Sequence, residues 1–109
     1  MRDLTRVELQ WPAQNMVVAD AEQYFAIERA GAVHLISSRC PHRGGPLHLG
    51  EVVDDRVRCP WHGNSFRLDR MCDRGVPTVQ RGGRITAYLP SAASVELTHA
   101  LVFAKGMSR

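Results

Sequence analysis

The hydrophobic pattern of the chain has the two-residue period of β-strands along most of its length. Thr5, Val7, Leu9 and Trp11 alternate with Arg6, Glu8 and Gln10, which predicts a half-buried strand ended by Pro12. Ala32–Ser37 predicts a further strand, entered through Gly31. Glu51–Val53 and Arg56–Cys59 flank Asp54-Asp55 and predict a hairpin. Phe66-Arg67-Leu68-Asp69 alternates again and is expected to be extended, with Cys72-Asp73-Arg74-Gly75 turning the chain. Val76 to Gly83 reads as loop, and Arg84–Leu89, Ser94–Leu97 and Leu101–Ala104 predict short closing strands. Asn15 to Gly31 supports two readings. Asp20 can cap a helix in which Ala21, Tyr24, Phe25 and Glu28 recur at helical spacing, or Met16–Ala19 and Tyr24–Arg29 can form a hairpin turning through Asp20–Gln23. No long helix, internal repeat or low-complexity tract stands out. Many short strands at regular spacing predict an all-β sandwich or barrel.

Composition narrows the classes. A chain of 109 residues is expected to form one domain, 1–109, large enough to bury a core and too small for two. The net charge of +3 and the absence of a Lys/Arg-rich run give no footprint for nucleic acid. Of the basic residues only Lys105 is a lysine, first of all a compositional bias. Met1 to Arg6 lacks the apolar stretch of a secretory leader, and no apolar run approaches a membrane span. Two of the three cysteines belong to the motif described next, so no internal disulfide is expected and a reducing, cytoplasmic location follows.

The candidate chemistry lies between Cys40 and Gly63. Cys40-Pro41-His42-Arg43-Gly44 and Cys59-Pro60-Trp61-His62-Gly63 are two loops of matching design, each with a cysteine, a proline after it, a histidine and a glycine. Two thiolates and two imidazoles can hold a metal centre. Thiolates are soft donors suited to iron–sulfur clusters, and neutral imidazole suits iron without adding negative charge. Tetrahedral zinc also accepts two cysteines and two histidines, although Cys-x-His is an unusual spacing there.

The spacing Cys-x-His, sixteen residues, then Cys-x-x-His, with its paired prolines and glycines, resembles the Rieske pattern. The resemblance implies one [2Fe–2S] cluster per chain, with Cys40 and Cys59 on the inner iron and His42 and His62 on the outer, solvent-near iron. It also implies a Rieske fold: an antiparallel β-sandwich or barrel-like base carrying a small cluster-binding subdomain, about 38–68, made of two ligand loops. The same resemblance favours the hairpin over the helix for 15–31. Gly44, Gly45 and Gly63 would let backbone N–H groups turn towards the cluster sulfurs.

Departures from one branch of the family refine the expectation. Members from respiratory and photosynthetic cytochrome complexes add a cysteine to each ligand loop and join the two by a disulfide; here those positions are Gly45 and Trp61. They also place a serine and a tyrosine after the second histidine, whose hydroxyls donate to sulfur, where this chain has Asn64 and Phe66. Fewer donors leave the reduced charge less stabilised, so the potential is expected towards the low end of about −150 to +300 mV. The runs CPHRGGPL and CPWHGNSFRL are similar to soluble Rieske ferredoxins and to the Rieske domains of ring-hydroxylating oxygenases.

The mononuclear iron of a terminal oxygenase needs two histidines and a carboxylate. His34, His48 and His99 show no helical pairing that would supply them. The expectation is therefore a monomeric one-electron carrier rather than a catalyst by itself. Its partners would be a flavin-dependent ferredoxin reductase and a terminal oxygenase or similar acceptor, with neither nucleic acid nor membrane involved. A Rieske-like small subunit of a larger reductase, such as assimilatory nitrite reductase, is the alternative from another class, with a structural zinc module behind it. Around the motif, Arg39 and Arg43 could steer an acidic partner or simply be solvated, and Leu47, Leu49 and Trp61 could form an apolar rim. The plainer reading has Trp61 filling the space of the missing disulfide. His48 reads as a solvated loop residue, His34 as a satisfied strand residue, Phe66 and Leu68 as packing groups, and Cys72 as an exposed bystander.

Overall fold

The computed structural model describes residues 3–39, 46–61, 63–100 and 102. Strands β1 (Leu4–Gln10), β2 (Met16–Ala19), β3 (Glu22–Arg29) and β4 (Ala32–Ser37) are followed by a 3-10 turn at Leu47–Leu49. Then come β5 (Glu51–Val53), β6 (Arg56–Arg58), β7 (Ser65–Arg67), the short helix α1 (Leu68–Asp73), β8 (Thr78–Arg81), β9 (Arg84–Pro90) and β10 (Val95–Thr98). The strands pair antiparallel into three sheets, in the orders β1-β9-β8, β10-β2-β3-β4 and β5-β6-β7. The all-β expectation holds.

The central β10-β2-β3-β4 sheet is covered on both faces. Its inner strands therefore read as continuous apolar runs, Met16-Val17-Val18-Ala19 and Phe25-Ala26-Ile27, instead of alternating with polar residues. Val17, Ala19, Ala26, Val33 and Leu35 point to one side and pack with Val7 and Leu9 of β1 and Ile85, Ala87 and Leu89 of β9. Met16, Phe25, Ile27 and Ile36 point to the other and pack with Leu47, Val57, Cys59, Leu68, Met71 and Cys72. Two cores thus share one sheet, and the small β5-β6-β7 sheet closes the second of them.

Residues 15–31 are the hairpin. Its turn is tighter than expected, because β3 already begins at Glu22 and only Asp20 and Ala21 connect the strands. The helix-capping signal of Asp20 is put to another use: both carboxylate oxygens accept backbone N–H groups, from Ala93 at 3.2 Å and Ser94 at 3.0 Å, and fix the approach to β10. Two further hairpins, β3-β4 and β5-β6, turn on Ala30-Gly31 and Asp54-Asp55, and both residues of each turn have positive φ.

Three local expectations are corrected. The alternation at Phe66 to Asp69 stops at Arg67; Leu68, Met71 and Cys72, at helical spacing, turn inward on α1. Cys72 is accordingly buried, not an exposed bystander, and desolvation raises its thiol pKa. The segment read as loop before Gly83 contains β8, paired in register with β9 through a two-residue connection at Gly82-Gly83. The expected strand Leu101–Ala104 lies, apart from Val102, outside the described residues.

Candidate metal centre

The first loop of the motif is gripped at its neck. Beyond β4, the Ser38 carbonyl accepts the Leu47 N–H at 2.7 Å, and Arg39 and Pro46 form an isolated antiparallel bridge. The Ser38 hydroxyl lies 2.6 Å from His48 Nδ1, and Phe25 lies against the imidazole with ring centroids 6.1 Å apart. His48 is therefore a half-buried strut, not a solvated loop residue, and its burial holds its pKa below the usual histidine value. Leu47, expected on an apolar rim, is instead wholly buried, because its N–H bond to Ser38 swings its side chain into the core with Val57 and Cys59.

The second loop extends the β6-β7 hairpin. Arg58 pairs with Ser65, and one step further out the Cys59 N–H donates to the Asn64 carbonyl at 2.8 Å. The Gly63 N–H then returns to the Cys59 carbonyl at 2.9 Å, with Gly63 at φ +75°, a conformation that a Cβ disfavours. Alternation along β6 continues through this point: Arg56 and Arg58 face solvent while Val57 and Cys59 face the core. Cys59 is 1% exposed.

A close backbone approach ties the two necks together. A Cβ on Gly50 would lie 2.3 Å from the Arg58 carbonyl oxygen, the residue before Cys59. A second tie reaches the central sheet from the tip of the β5-β6 hairpin. There Arg29 Nε donates to Asp55 Oδ1 at 3.0 Å and its Nη2 to Oδ2, a bidentate pair that lowers the Asp55 pKa.

Of the expected ligands, Cys59 is placed by the structure, whereas Cys40, His42 and His62 lie outside the described residues, as do Arg43, Gly44 and Gly45. Among the described residues no three His, Cys, Asp or Glu side chains gather as a metal site. Cys59 fits the role of an inner thiolate ligand, being withdrawn from solvent at the foot of a short loop. That loop is closed by the Cys59 N–H to Asn64 and Gly63 N–H to Cys59 bonds, and the Gly63 N–H is therefore spent on a carbonyl. Among the remaining expectations, Arg39 pairs with Glu22 at 3.1 Å, and His34 is half-buried on β4. Phe66 packs against the core, and Leu68 is buried there. Trp61 and Leu49 are 59% and 47% exposed, so Trp61 fills no interior space and the reading that had it do so is corrected. Sequence reasoning missed Ser38 and His48 as the neck of the first loop. The available signal was a serine and a histidine bracketing a motif rich in glycine and proline.

Comparison with known proteins agrees with this construction. The family model described as the Rieske [2Fe-2S] domain matches residues 4–93. Apoptosis-inducing factor 3 of Homo sapiens is 47% identical over 38 residues, 35% of this chain and 6% of that protein. The 3-chlorobenzoate-3,4-dioxygenase oxygenase subunit of Comamonas testosteroni is 44% identical over 45 residues, 41% of this chain and 10% of that one. The phenoxybenzoate dioxygenase subunit alpha of Ectopseudomonas oleovorans is 35% identical over 77 residues, 71% of this chain and 19% of that one. These matches span less than a fifth of each relative's length. Among the described residues no helix is long and apolar enough to cross a membrane. The chain belongs to the Rieske [2Fe–2S] domain family, electron-transfer domains that bind a [2Fe–2S] cluster.

Proposed function

We propose that residues 1–109 act as one Rieske domain, with a cluster-binding subdomain at about 38–68, and carry single electrons from a flavin-dependent ferredoxin reductase to an oxygenase-type acceptor. In this reading Cys40, His42, Cys59 and His62 hold one [2Fe–2S] cluster, and the chain is a monomeric, cytoplasmic component rather than a catalyst by itself. The bound group would supply reversible one-electron redox chemistry. The chain's own residues would do the rest. Cys59 keeps its sulfur out of water, the two necks fix the spacing of the loops, and Trp61 with Leu49 offers exposed apolar surface suited to a brief, small interface.

The observation that supports this reading best is the joining of both loop feet, through Leu47 and Cys59, in one apolar core. The relatives named as oxygenase subunits support the acceptor class. Their much greater length also supports a second reading, in which the same module serves inside a larger assembly.

An EPR-monitored redox titration of the purified protein tests the proposal. A Rieske-type reduced signal is expected, with a midpoint in the lower half of about −150 to +300 mV. It should disappear in His42→Ala and in His62→Ala, and a variant that kept it would remove that histidine from the ligand set. Stoichiometric zinc without the signal would overturn the reading. Recovery of a stable stoichiometric complex with a large reductase would replace the free carrier by the subunit reading.

A further inference from the structure

On the far side of the central sheet from Leu47 and Cys59, the outer face of the β1-β9-β8 sheet gathers cations. Arg81 and Arg84 are directly opposed across the Gly82-Gly83 connection, so their side chains share a face. Like charges in that position repel. The one nearby carboxylate, Glu8, is divided: a single oxygen lies 3.7 Å from Arg84 Nε and 3.8 Å from Arg6 Nη2. Arg81 makes no ion pair among the described residues. Three guanidiniums thus surround one acid, and between them lies an open depression of about 270 Å³, walled in part by Val79 and Tyr88.

Arg6 and Arg84 are more than half exposed, so this cluster of charges contributes little to the fold and leaves its guanidiniums available to an acid from outside. We propose that this face binds a carboxylate-bearing segment of a partner protein, an aspartate or glutamate side chain entering between Arg81 and Arg84. Paired guanidiniums present the forked donors that a carboxylate accepts. The depression is smaller than the usual range for drug-sized or nucleotide ligands, about 300–1,000 Å³, and holds a single acidic side chain with room for water. The half-exposed Val79 adds apolar contact beside it. Because the central sheet and its two cores separate this face from Leu47 and Cys59, a partner held here leaves Trp61 and Leu49 accessible. The surface would therefore anchor a partner without blocking transfer, and it does not depend on which protein supplies the electron.

The test is a titration of the cluster-loaded protein into a fluorescein-labelled oligoglutamate peptide, followed by anisotropy. Saturable binding is expected, weakened at least about tenfold by Arg81→Glu/Arg84→Glu and weakened further by added salt. Arg56→Glu/Arg58→Glu, which changes net charge equally on a different sheet, should alter it less than about twofold. No binding, equal loss in both double variants, or indifference to salt would overturn the proposal. So would binding of ATP or inorganic phosphate in place of the peptide. A second measurement needs no ligand: Arg81→Gln relieves the opposed pair and should leave the melting temperature unchanged or raised. A lowered melting temperature would show that Arg81 is there to support the fold.

Discussion

Gly50 links the two ligand loops by contact, and replacing it tests whether that contact sets the site. Its φ is −75°, so alanine is conformationally acceptable there and any cost must be steric. The added Cβ would stand 2.3 Å from the Arg58 carbonyl oxygen and 3.0 Å from the Leu47 oxygen, where ordinary contact begins at 3.4 Å. One backbone segment must therefore retreat by about 1 Å, a displacement typical of overpacking at about 1–3 kcal/mol. For a domain of this size that lowers the melting temperature by about 4 °C or more. The retreating carbonyl precedes Cys59, so Gly50→Ala should also reduce cluster content per chain, measured as iron and as EPR spin. Gly63 supplies the contrast within the same site. Among the described residues nothing lies within 4 Å of its would-be Cβ, but its φ is +75°. Gly63→Ala should therefore cost about 1–2 kcal/mol from backbone strain alone. Asparagine tolerates that conformation, so Gly63→Asn should recover most of the loss, while Gly50→Asn should be no better than Gly50→Ala. A Gly50→Ala protein within about 0.5 kcal/mol of the parent, with full cluster content, would refute the steric argument.

Other consequences are open to the same instruments. Leu47→Ala empties a wholly buried site under the first loop and should cost about 2–5 kcal/mol in denaturant unfolding. Asn15→Leu removes the side chain that both donates to the Ala100 carbonyl, at 3.0 Å, and accepts its N–H, at 2.8 Å. It should cost about 1–3 kcal/mol and speed proteolysis near residue 100. Because burial lowers the folded-state pKa of His48, the unfolded chain binds its proton first, so stability should fall as pH drops below about 6.5. His48→Gln should flatten that slope, and an unchanged slope would clear His48 of the effect. The Asp55 and Asp69 carboxyls are held low by hydrogen bonds from Arg29 and Arg67. Their contribution should therefore be full above about pH 4 and be lost only as pH falls below it.

The sequence made the site chemistry more legible than its mounting. Residue type and spacing alone pointed to Cys40, His42, Cys59 and His62, since so few side chains serve a soft metal centre. Strand alternation located β1 and the β5-β6 hairpin, where one face is wet, while β4 was marked by its entry through Gly31. It was ambiguous in β2 and β3, where both faces are covered and no polar side remains to mark the period. It failed at Leu68, where three residues fit either period and helical packing of Met71 and Cys72 decided the outcome. The roles of Ser38, Leu47 and His48 were illegible because they arise from contacts between the two ends of a loop, and a one-dimensional pattern carries no such information.

The two-faced central sheet also bears on how such a protein could arise and be divided. Stripping away β5-β6-β7 and α1 would leave Met16, Phe25, Ile27 and Ile36 open to water. The three-strand cap is therefore no detachable accessory added to a self-sufficient scaffold. A cut between scaffold and cap would uncover apolar faces on both pieces rather than give a base and a transplantable cofactor carrier. Lineages and engineers alike should find it easier to insert the whole domain into a longer chain than to borrow its ligand loops.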